Sequence, residues 1–211
     1  MSFEKYTDMS EFFQRWKSLD VNYTRDGLEV GNYKVMYNWE KPLMKEFARV
    51  VTETRGDVLE VGYGMGIAAE YIQQFGVKSH TIVEAHTEIF KTALEWKKQK
   101  KGNIILINDF WQNVTNHFHH YDTIFYDSFS PTDCIEKDSF LFFELSAGKF
   151  LRPGGRLTFW YPSNVLPEKY QRVLLQHFNS LSIHLVKGLE PTEECMKQGF
   201  KHSMIIPVAY K

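Results

Sequence analysis

The chain has 211 residues, of which 43% are hydrophobic and 24% are charged. This length and composition are typical of a globular domain with a sizeable core, and they exclude a fibrous or wholly disordered protein. Lysine and arginine number 25 and aspartate and glutamate 26, so the formal charge is −1. That balance argues against a broad binding surface for nucleic acid or anionic lipid.

Membrane, export and redox signals are weak in this sequence. No apolar run approaches the about 18 residues of a membrane span. Residues 1–20 are charged throughout, unlike the apolar centre of a signal peptide. Two cysteines are too few for a disulfide framework. We therefore expect a cytoplasmic protein, monomeric or homodimeric, with no nucleic-acid or membrane partner.

The chain reads as a single domain over residues 1–211, because no repeat, low-complexity stretch or linker divides it. Two helices, near 9–18 and 40–54, are predicted to form an N-terminal helical lid (1–54) over a core that spans 55–211. In the core, apolar β-branched runs alternate with helical patterns. The predicted strands are 57–62, 80–85, 103–108, 121–127, 156–162, 182–188 and 202–210, and the predicted helices are 66–75, 87–100, 136–150 and 167–178.

This alternation predicts an α/β protein with a doubly wound, mostly parallel sheet. The Pro-Gly-Gly run at 153–155 predicts a turn before the fifth strand. No convincing crossover helix separates the last two strands, which favours an antiparallel pair at the end of the sheet. A Rossmann-like sheet of seven strands with an antiparallel C-terminal strand resembles the arrangement of class I methyltransferases.

A glycine-rich turn follows the first core strand, where the sequence reads E-V-G-Y-G-M-G at 60–66. Glycine lets the backbone turn tightly and approach a ligand without a Cβ clash. A dinucleotide fingerprint needs glycine at position 67, but Ile67 stands there. The E-x-G-x-G-x-G pattern is instead typical of enzymes that bind S-adenosylmethionine. An arbitrary glycine-rich turn is the alternative.

Further polar and aromatic residues follow the next three strands. Glu84, at the end of the second strand, is placed to accept hydrogen bonds from ribose hydroxyls. Trp111 and Gln112 follow the third strand, and an aromatic ring beside an amide suits adenine, although Trp111 is equally consistent with an ordinary core residue. Asp127 ends the fourth strand, where a buried acid without a partner is costly unless a cationic ligand lies beside it.

The sequence V-M-Y-N-W-E-K-P-L-M at 35–44 resembles the V-M-x-x-W-E-x-P-x-M segment of guanidinoacetate N-methyltransferases. The likeness covers about residues 33–211 in the right order, and its most specific parts are this segment and the Tyr-Asp pair at the end of the fourth strand. It is carried by segments 35–44, 58–65, 111–114, 126–128, 151–158 and 204–207.

The resemblance implies roles for individual residues. Glu40 and Asp127 would grip a guanidinium as substrate-binding and catalytic residues, and Ser163 and Asn164 would offer backbone donors to the carboxylate of the acceptor. No metal is required. The residues implied to bind S-adenosylmethionine are Trp16, Met36, Met44, Tyr63, Gly64, Met65, Gly66, Ile67, Ala68, Glu84, Ala85, His86, Trp111, Gln112 and Asp127.

The sequence therefore predicts an S-adenosylmethionine-dependent N-methyltransferase that releases S-adenosylhomocysteine and acts on a small guanidino compound, such as guanidinoacetate or arginine. Trp160-Tyr161-Pro162, before Ser163-Asn164, departs from the family pattern around the tail of the acceptor. Two alternatives therefore stay open. One is an arginine N-methyltransferase acting on a peptide or protein, and the other is a non-catalytic module that binds S-adenosylmethionine.

Overall fold

The protein is described by a computed structural model over residues 9–129 and 135–211. Its N-terminal part combines two helices with three short strands, and the core that follows alternates strands and helices. The N-terminal elements are α1 (Met9–Trp16), β1 (Val21–Tyr23), β2 (Gly27–Val30), β3 (Tyr33–Tyr37) and α2 (Lys41–Val51). The core elements are β4 (Asp57–Val61), α3 (Ile67–Phe75), β5 (Ser79–Val83), α4 (Thr87–Lys98), β6 (Ile104–Ile107), β7 (Tyr121–Tyr126), α5 (Ile135–Leu145), β8 (Leu151–Phe159), α6 (Glu168–His177), β9 (Ser180–Lys187), α7 (Glu193–Lys197) and β10 (Ser203–Tyr210).

The core strands form one seven-stranded sheet in the order β6-β5-β4-β7-β8-β10-β9. The five strands from β6 to β8 run parallel, and β10 is antiparallel to both β8 and β9. This confirms the predicted α/β fold with its antiparallel C-terminal strand. Because parallel strands end at a common edge, the loops after β4, β5, β6 and β7 meet there.

Helices cover both faces of this sheet. On one face of the sheet α2, α3 and α4 pack together with the N-terminal part. The other face is covered by α5 and α6. Adjacent residues of β4 serve opposite faces, since Val58 belongs to the first layer and Leu59 to the second. All residues of β4 and β5 are buried, as expected for strands covered on both faces, which explains the adjacent apolar residues Val58 and Leu59 in β4.

The three-stranded antiparallel sheet β1-β2-β3 is absent from the sequence prediction, which had only helices before residue 55. Its strands have three to five residues, too few to establish a period. Its glycine carries the information instead, because a Cβ on Gly27 would lie 2.0 Å from the carbonyl oxygen of Met36. Glycine at position 27 thus lets β2 and β3 approach closely.

The predicted turn at Pro153-Gly154-Gly155 was wrongly placed, because β8 begins before it, at Leu151. Tyr121 pairs with Leu151 and Thr123 with Arg156, so the intervening residues bulge out of the strand. Gly154 has φ of +77°, in the region that glycine occupies at little cost. The sequence signal for a backbone irregularity was therefore correct, but neighbouring β7 continues the pairing across it.

A charged network holds the edge of the sheet where the strands begin. Arg152 donates to Asp57 at 2.8 Å and to Asp122 at 2.7 Å, while Lys78 donates to Asp57 at 3.0 Å. Burial alone would raise the pKa of Asp57, but hydrogen bonds from Ser79, Lys78 and Arg152 lower it to about 2. In the folded state these donors therefore hold Asp57 in its ionised form.

Asp57→Asn should destabilise the protein in a pH-dependent way. Because the folded pKa is about 2 and the model value is 3.8, the ionised group contributes about 2 kcal/mol above pH 4, lost as pH falls toward 2. Urea unfolding of wild type and variant at pH 7, 5 and 3 measures this. The exposed ion-pair variant Glu53→Gln serves as control, with an expected change below about 0.5 kcal/mol. A wild-type advantage over Asp57→Asn that does not shrink at pH 3 would contradict the assignment.

Among residues 9–129 and 135–211, no helix is both long and apolar enough to cross a membrane.

Candidate functional site

The glycine turn after β4 lies at the carboxyl edge of the sheet, between the ends of β5 and β7. The Gly62 amide donates to the Val83 carbonyl at 2.8 Å, and the Asp127 amide donates to Val61 at 2.9 Å. Gly62 has φ of +95°, and a Cβ there would lie 2.1 Å from the Asp127 carbonyl oxygen. Glycine is therefore required at this position, because it brings the turn against Asp127.

Two side chains predicted to bind the cofactor lie over this turn. Tyr63 covers Gly66, where an added Cβ would lie 2.4 Å from the tyrosine hydroxyl. The sulfur of Met36, on β3, would be 3.2 Å from a Cβ on Gly64. Both glycines have positive φ, and Gly66 caps α3. The turn is thus a narrow cradle with bare backbone, bordered by a thioether and a phenol ring.

Glu84 is buried and joins the glycine turn to the end of β5. Its carboxylate accepts the Tyr63 amide at 2.9 Å and the His86 amide at 2.7 Å. Burial raises the pKa of Glu84, and these amide hydrogen bonds oppose the rise. The amides of Gly64 and Ala85 also oppose the rise, so backbone donors hold the Glu84 carboxylate at the end of β5.

His86 and Trp16 lie together at this edge. The His86 ring donates through Nε2 to the Leu19 carbonyl at 2.9 Å and accepts the Glu88 amide at Nδ1, which caps α4. Trp16 stands perpendicular to His86 and stacks on Phe129 at 5.0 Å. Both ring nitrogens of His86 are used within the chain, so only its ring surface is available to an adenosine.

The N-terminal part contacts the strand ends through residues that sequence reasoning did not single out. Phe13 of α1 stacks on Phe110 at 4.0 Å, and Lys17 pairs with Asp109 at 2.7 Å. The signal that could have found them is the run of large aromatic residues in α1, far more than a surface helix needs. These contacts hold α1 across the loops that follow β5, β6 and β7.

Trp111 and Gln112 are drawn toward α5. The Trp111 indole is buried against Phe142, and its N–H donates to Asp138 at 3.3 Å. The Gln112 amide nitrogen donates to the same carboxylate. Trp111 thus packs in the second core layer, the alternative that its sequence context left open. The Gln112 Oε1 is buried and accepts no hydrogen bond from the described residues.

Four carboxylates converge near the end of β4, those of Glu40, Glu60, Glu84 and Asp127. Within residues 9–129 and 135–211, none of them is paired with a lysine or arginine. Removal of Asp127 from water raises its pKa well above the usual range, and the negative charges of Glu40, Glu60 and Glu84 raise it further. Such a cluster holds its charge only when a cation lies among its members.

Glu40 ends the 3₁₀ turn before α2, and its carboxylate is almost entirely buried, with 3% of the residue exposed. It accepts the Tyr37 amide at 2.7 Å and the Trp160 indole N–H at 3.0 Å, one on each oxygen. Burial raises its pKa to about 7 against these two hydrogen bonds. The Glu40 carboxylate is thus held in one orientation and titrates near neutral pH.

Glu60 is occupied by a partner inside the sheet. His80 on β5 contacts its carboxylate through Nε2 at 2.7 Å, and Gln73 donates to Nδ1 of the same ring at 3.1 Å. Glu60 and His80 are completely buried, and burial raises the pKa of Glu60. Glu60 therefore contributes negative potential to Asp127 rather than a free oxygen.

Ser163 and Asn164 lie in the half-buried segment after β8. The Ser163 amide donates to the Tyr161 carbonyl at 2.9 Å, and its carbonyl accepts the Ile205 amide of β10 at 3.1 Å. A carboxylate bound at Ser163 would have to displace the first of these bonds. The remaining predicted cofactor residues pack into or against the first core layer: Met44 and Ala68 are buried, and Met65, Ile67 and Ala85 are half-buried.

These residues fit S-adenosylmethionine. The glycine turn leaves no Cβ under a bound methionine moiety, and Glu84 places a carboxylate at the strand end where a ribose would lie. The orphaned Gln112 Oε1 needs an N–H donor, which the exocyclic amine of adenine carries. The unpaired carboxylates suit a sulfonium. In the described part of the chain, no group of three or more potential ligands is placed to hold a metal ion.

Comparison with known proteins shows which family this sequence is similar to. The sequence model of the family described as guanidinoacetate N-methyltransferase matches residues 4–206. Similar curated proteins are each named protein arginine N-methyltransferase 2. That of Kluyveromyces lactis is 30% identical over 67% of this chain and 36% of its own length, and that of Candida glabrata is 34% identical over 52% and 29%. The chain spans about a third of the length of these relatives.

Solved structures share the fold. Spermidine synthase from Thermotoga maritima superposes with a TM-score of 0.66 at 15% identity, over 92% of this chain and 69% of its own. A SAM-dependent methyltransferase from Archaeoglobus fulgidus gives 0.58 at 14% identity, over 81% and 94%. The N-methyltransferase NodS from Bradyrhizobium japonicum gives 0.56 at 12% identity, over 82% and 96%. At these identities the likeness shows a shared fold.

Proposed function

The chain belongs to the guanidinoacetate N-methyltransferase family, and from that premise we propose that it methylates the guanidino group of a small molecule such as guanidinoacetate, arginine or a related guanidino acid. The family and the fold are those of S-adenosylmethionine-dependent methyltransferases. The observation that carries the proposal is the proximity of buried Glu40 to Asp127 beside the glycine turn, two carboxylates that no lysine or arginine of the described residues neutralises.

S-adenosylmethionine, when bound, supplies an electrophilic methyl group on its sulfonium. We assign its methionine part to the cradle of Tyr63, Gly64 and Gly66, with Met36 as the opposite wall. Glu84 would accept the ribose hydroxyls, and Gln112 would accept the adenine amine. Trp16 and α1 would exclude water from this region. Excluding water strengthens each electrostatic interaction between the carboxylates and the two cations.

Glu40 would bind the acceptor. A guanidinium presents a planar fork of N–H donors that matches a carboxylate, and each charge-assisted bond contributes about 1.5–3 kcal/mol. The Tyr37 amide and the Trp160 indole fix the carboxylate plane, so the guanidinium is oriented by a group that cannot rotate. Orientation of this kind places the reacting nitrogen in line with the methyl group and the sulfur.

Asp127 would accept the proton. A protonated guanidinium has no lone pair for attack, so one N–H proton must leave as the C–N bond forms and the C–S bond breaks. Burial and the neighbouring carboxylates raise the pKa of Asp127 in the free protein, and this basicity would return as the sulfonium loses its charge during the transfer. Two cations beside Asp127 would keep it ionised until that transfer, and its proton would then pass to water.

A protein or peptide arginine N-methyltransferase is the second candidate. The names of the curated relatives favour it, since each is called a protein arginine N-methyltransferase. It needs the same Glu40 and Asp127 chemistry, because an arginine side chain ends in the same guanidinium. The two candidates differ only in what is attached to the guanidino group.

Formation of S-adenosylhomocysteine against a guanidino panel tests the proposal. The panel holds guanidinoacetate, arginine, agmatine and an arginine-containing peptide, with ornithine and glycine as controls. We expect turnover on at least one free guanidino acid and none on the controls. Turnover on the peptide alone would replace the small-molecule proposal by the second candidate. Binding of S-adenosylmethionine with no turnover on any acceptor would indicate a non-catalytic module and would contradict both.

A further inference from the structure

Four aromatic side chains lie together beside Glu40. Phe200 is the common neighbour, with ring centroids 5.9 Å from Tyr37, 5.4 Å from Trp39 and 6.3 Å from Trp160. Tyr37 and Trp39 also stack on each other at 5.9 Å. We call Tyr37, Trp39, Trp160 and Phe200 the aromatic wall. Its members come from three distant parts of the sequence, so only the tertiary structure assembles it.

The wall is built around the loop between β9 and β10, residues 188–202. The Trp39 indole N–H donates to the buried sulfur of Cys195 at 3.4 Å, and the Tyr37 hydroxyl donates to Gln198 at 3.2 Å. Both partners lie in this loop, on or next to α7. The loop is therefore fastened directly to the segment that ends in Glu40, and Phe200 is its inward-facing aromatic residue.

The wall also reaches the proton-accepting side of the site. Trp160 donates its backbone amide to the Tyr126 carbonyl at 3.1 Å, one residue before Asp127, and its indole N–H to Glu40. Trp39, Trp160 and Phe200 pack against the core but remain partly exposed. These three rings therefore retain surface that another group can contact.

The indole N–H groups of the wall are already used, that of Trp39 by Cys195 and that of Trp160 by Glu40. The tryptophans therefore offer ring faces and edges rather than donors for a carboxylate. A guanidinium is planar and weakly hydrated, and it stacks favourably on aromatic faces. Apolar methylene groups are accommodated by the same surface.

We propose that the aromatic wall is the acceptor subsite beside Glu40, and that Phe200 is a specificity-determining residue that selects a guanidinium on a longer aliphatic stem. The inference rests on the proposed function, because it needs Glu40 to hold the guanidinium edge. The stem of an arginine-like acceptor lies along Phe200 and Trp39. A carboxylate one carbon from the guanidinium, as in guanidinoacetate, meets ring surface there instead of a donor.

Phe200→Ala tests this subsite, with Met196→Ala as the matched control on the same loop, since Met196 is 39% exposed and is no part of the wall. Initial rates are measured with N-acetylarginine methylamide, which has a long uncharged stem, and with methylguanidine, which has none. Phe200→Ala should raise the KM for the long-stem acceptor about tenfold, because the methylene groups of the stem lose their apolar contact, and should change kcat less than about twofold. Methylguanidine kinetics and Met196→Ala should stay within about twofold of wild type.

Phe200→Leu keeps an apolar side chain without the ring and guards against a folding artefact. It should retain the wild-type melting temperature and S-adenosylmethionine affinity while losing part of the long-stem preference. Equal KM values in wild type, Phe200→Ala and Phe200→Leu would overturn the subsite, as would parallel losses on both acceptors and on S-adenosylmethionine binding. A different result would refute the proposed function, and the subsite with it. In that case the wild-type protein methylates no guanidino compound, and calorimetry with S-adenosylhomocysteine present detects no binding of one.

Discussion

Asp127→Asn should lower kcat for methyl transfer by about 10²- to 10⁴-fold, the usual contribution of a positioned general base. The amide has nearly the shape of the carboxylate, so the close approach of Gly62 to the Asp127 backbone is kept. The asparagine amide, however, cannot accept the guanidinium proton. The affinity for S-adenosylmethionine should change only a few-fold, because the glycine cradle and Glu84 are untouched.

Single-turnover rates and calorimetric titration with S-adenosylmethionine separate these two effects. Glu144→Gln, the same chemical change at an exposed position of α5, serves as the matched control and should leave both quantities unchanged. Turnover by Asp127→Asn close to that of wild type, with normal cofactor binding, would show that the proton leaves by another route.

Glu40→Gln should raise the KM for the acceptor by about 10- to 100-fold, the equivalent of one or two lost charge-assisted hydrogen bonds. The Trp160 indole can still donate to the remaining amide oxygen, but the Tyr37 amide then faces an NH₂ group. S-adenosylmethionine binding should be little affected. Equal losses of acceptor and cofactor affinity would point to a structural role for Glu40.

The pKa of Glu40 gives this variant a second signature. Burial raises that pKa from 4.5 to about 7, so the carboxylate that grips a guanidinium is fully formed only above neutral pH. In wild type, kcat/KM for the acceptor should rise with pH through about 7. In Glu40→Gln the part of this rise that belongs to Glu40 should disappear, leaving only the titration of Asp127.

The stability of the folded protein should fall with rising pH, opposite to the rise in kcat/KM. A folded pKa above the unfolded value means that the folded state retains a proton that the unfolded chain releases. Wild-type stability is therefore lost between about pH 4.5 and 7, and Glu40→Gln, which has no such proton, should gain on wild type at pH 8 relative to pH 4. Urea unfolding at the two pH values measures this. A constant difference would show that Glu40 titrates normally.

The clustering of carboxylates at the site explains why the effects of substituting Asp127 and Glu40 should be large. Asp127, Glu40 and Glu84 are held together without a lysine or arginine among the described residues, which costs stability in the free protein. Bound cations relieve that cost, so their binding is strengthened by the repulsion that they remove. A substitution that neutralises Glu40 therefore changes both acceptor binding and protein stability.

The parallel core was predictable because its signal is local. Runs such as Val58-Leu59 are continuously apolar since both faces of the sheet are covered, and the spacing of helices between them leaves few topologies. The glycine turn was predictable for a related reason. Gly62, Gly64 and Gly66 all adopt positive φ, which favours glycine, so the turn is visible in the sequence itself.

Where the prediction differed from the structure, a distant partner decided the outcome. The strands β1 to β3 are too short to show a period and exist through pairing with one another. The bulge at Gly154 belongs to β8 because β7 continues beside it. Trp111 is turned toward α5 because its indole N–H donates to Asp138, and no local sequence pattern predicted this hydrogen bond.

The sequence by itself determined the family, the order of the seven core strands, and the two carboxylates on which the proposed chemistry depends, because these are written in residue types at short spacing. The tertiary structure alone decided how those carboxylates are charged and what surrounds them. Burial, the Tyr37 amide and the Trp160 indole set the pKa of Glu40, and Phe200 meets Trp39 and Trp160 only across the folded sheet. Electrostatics and aromatic packing depend on distance in space, which separation along the chain does not predict.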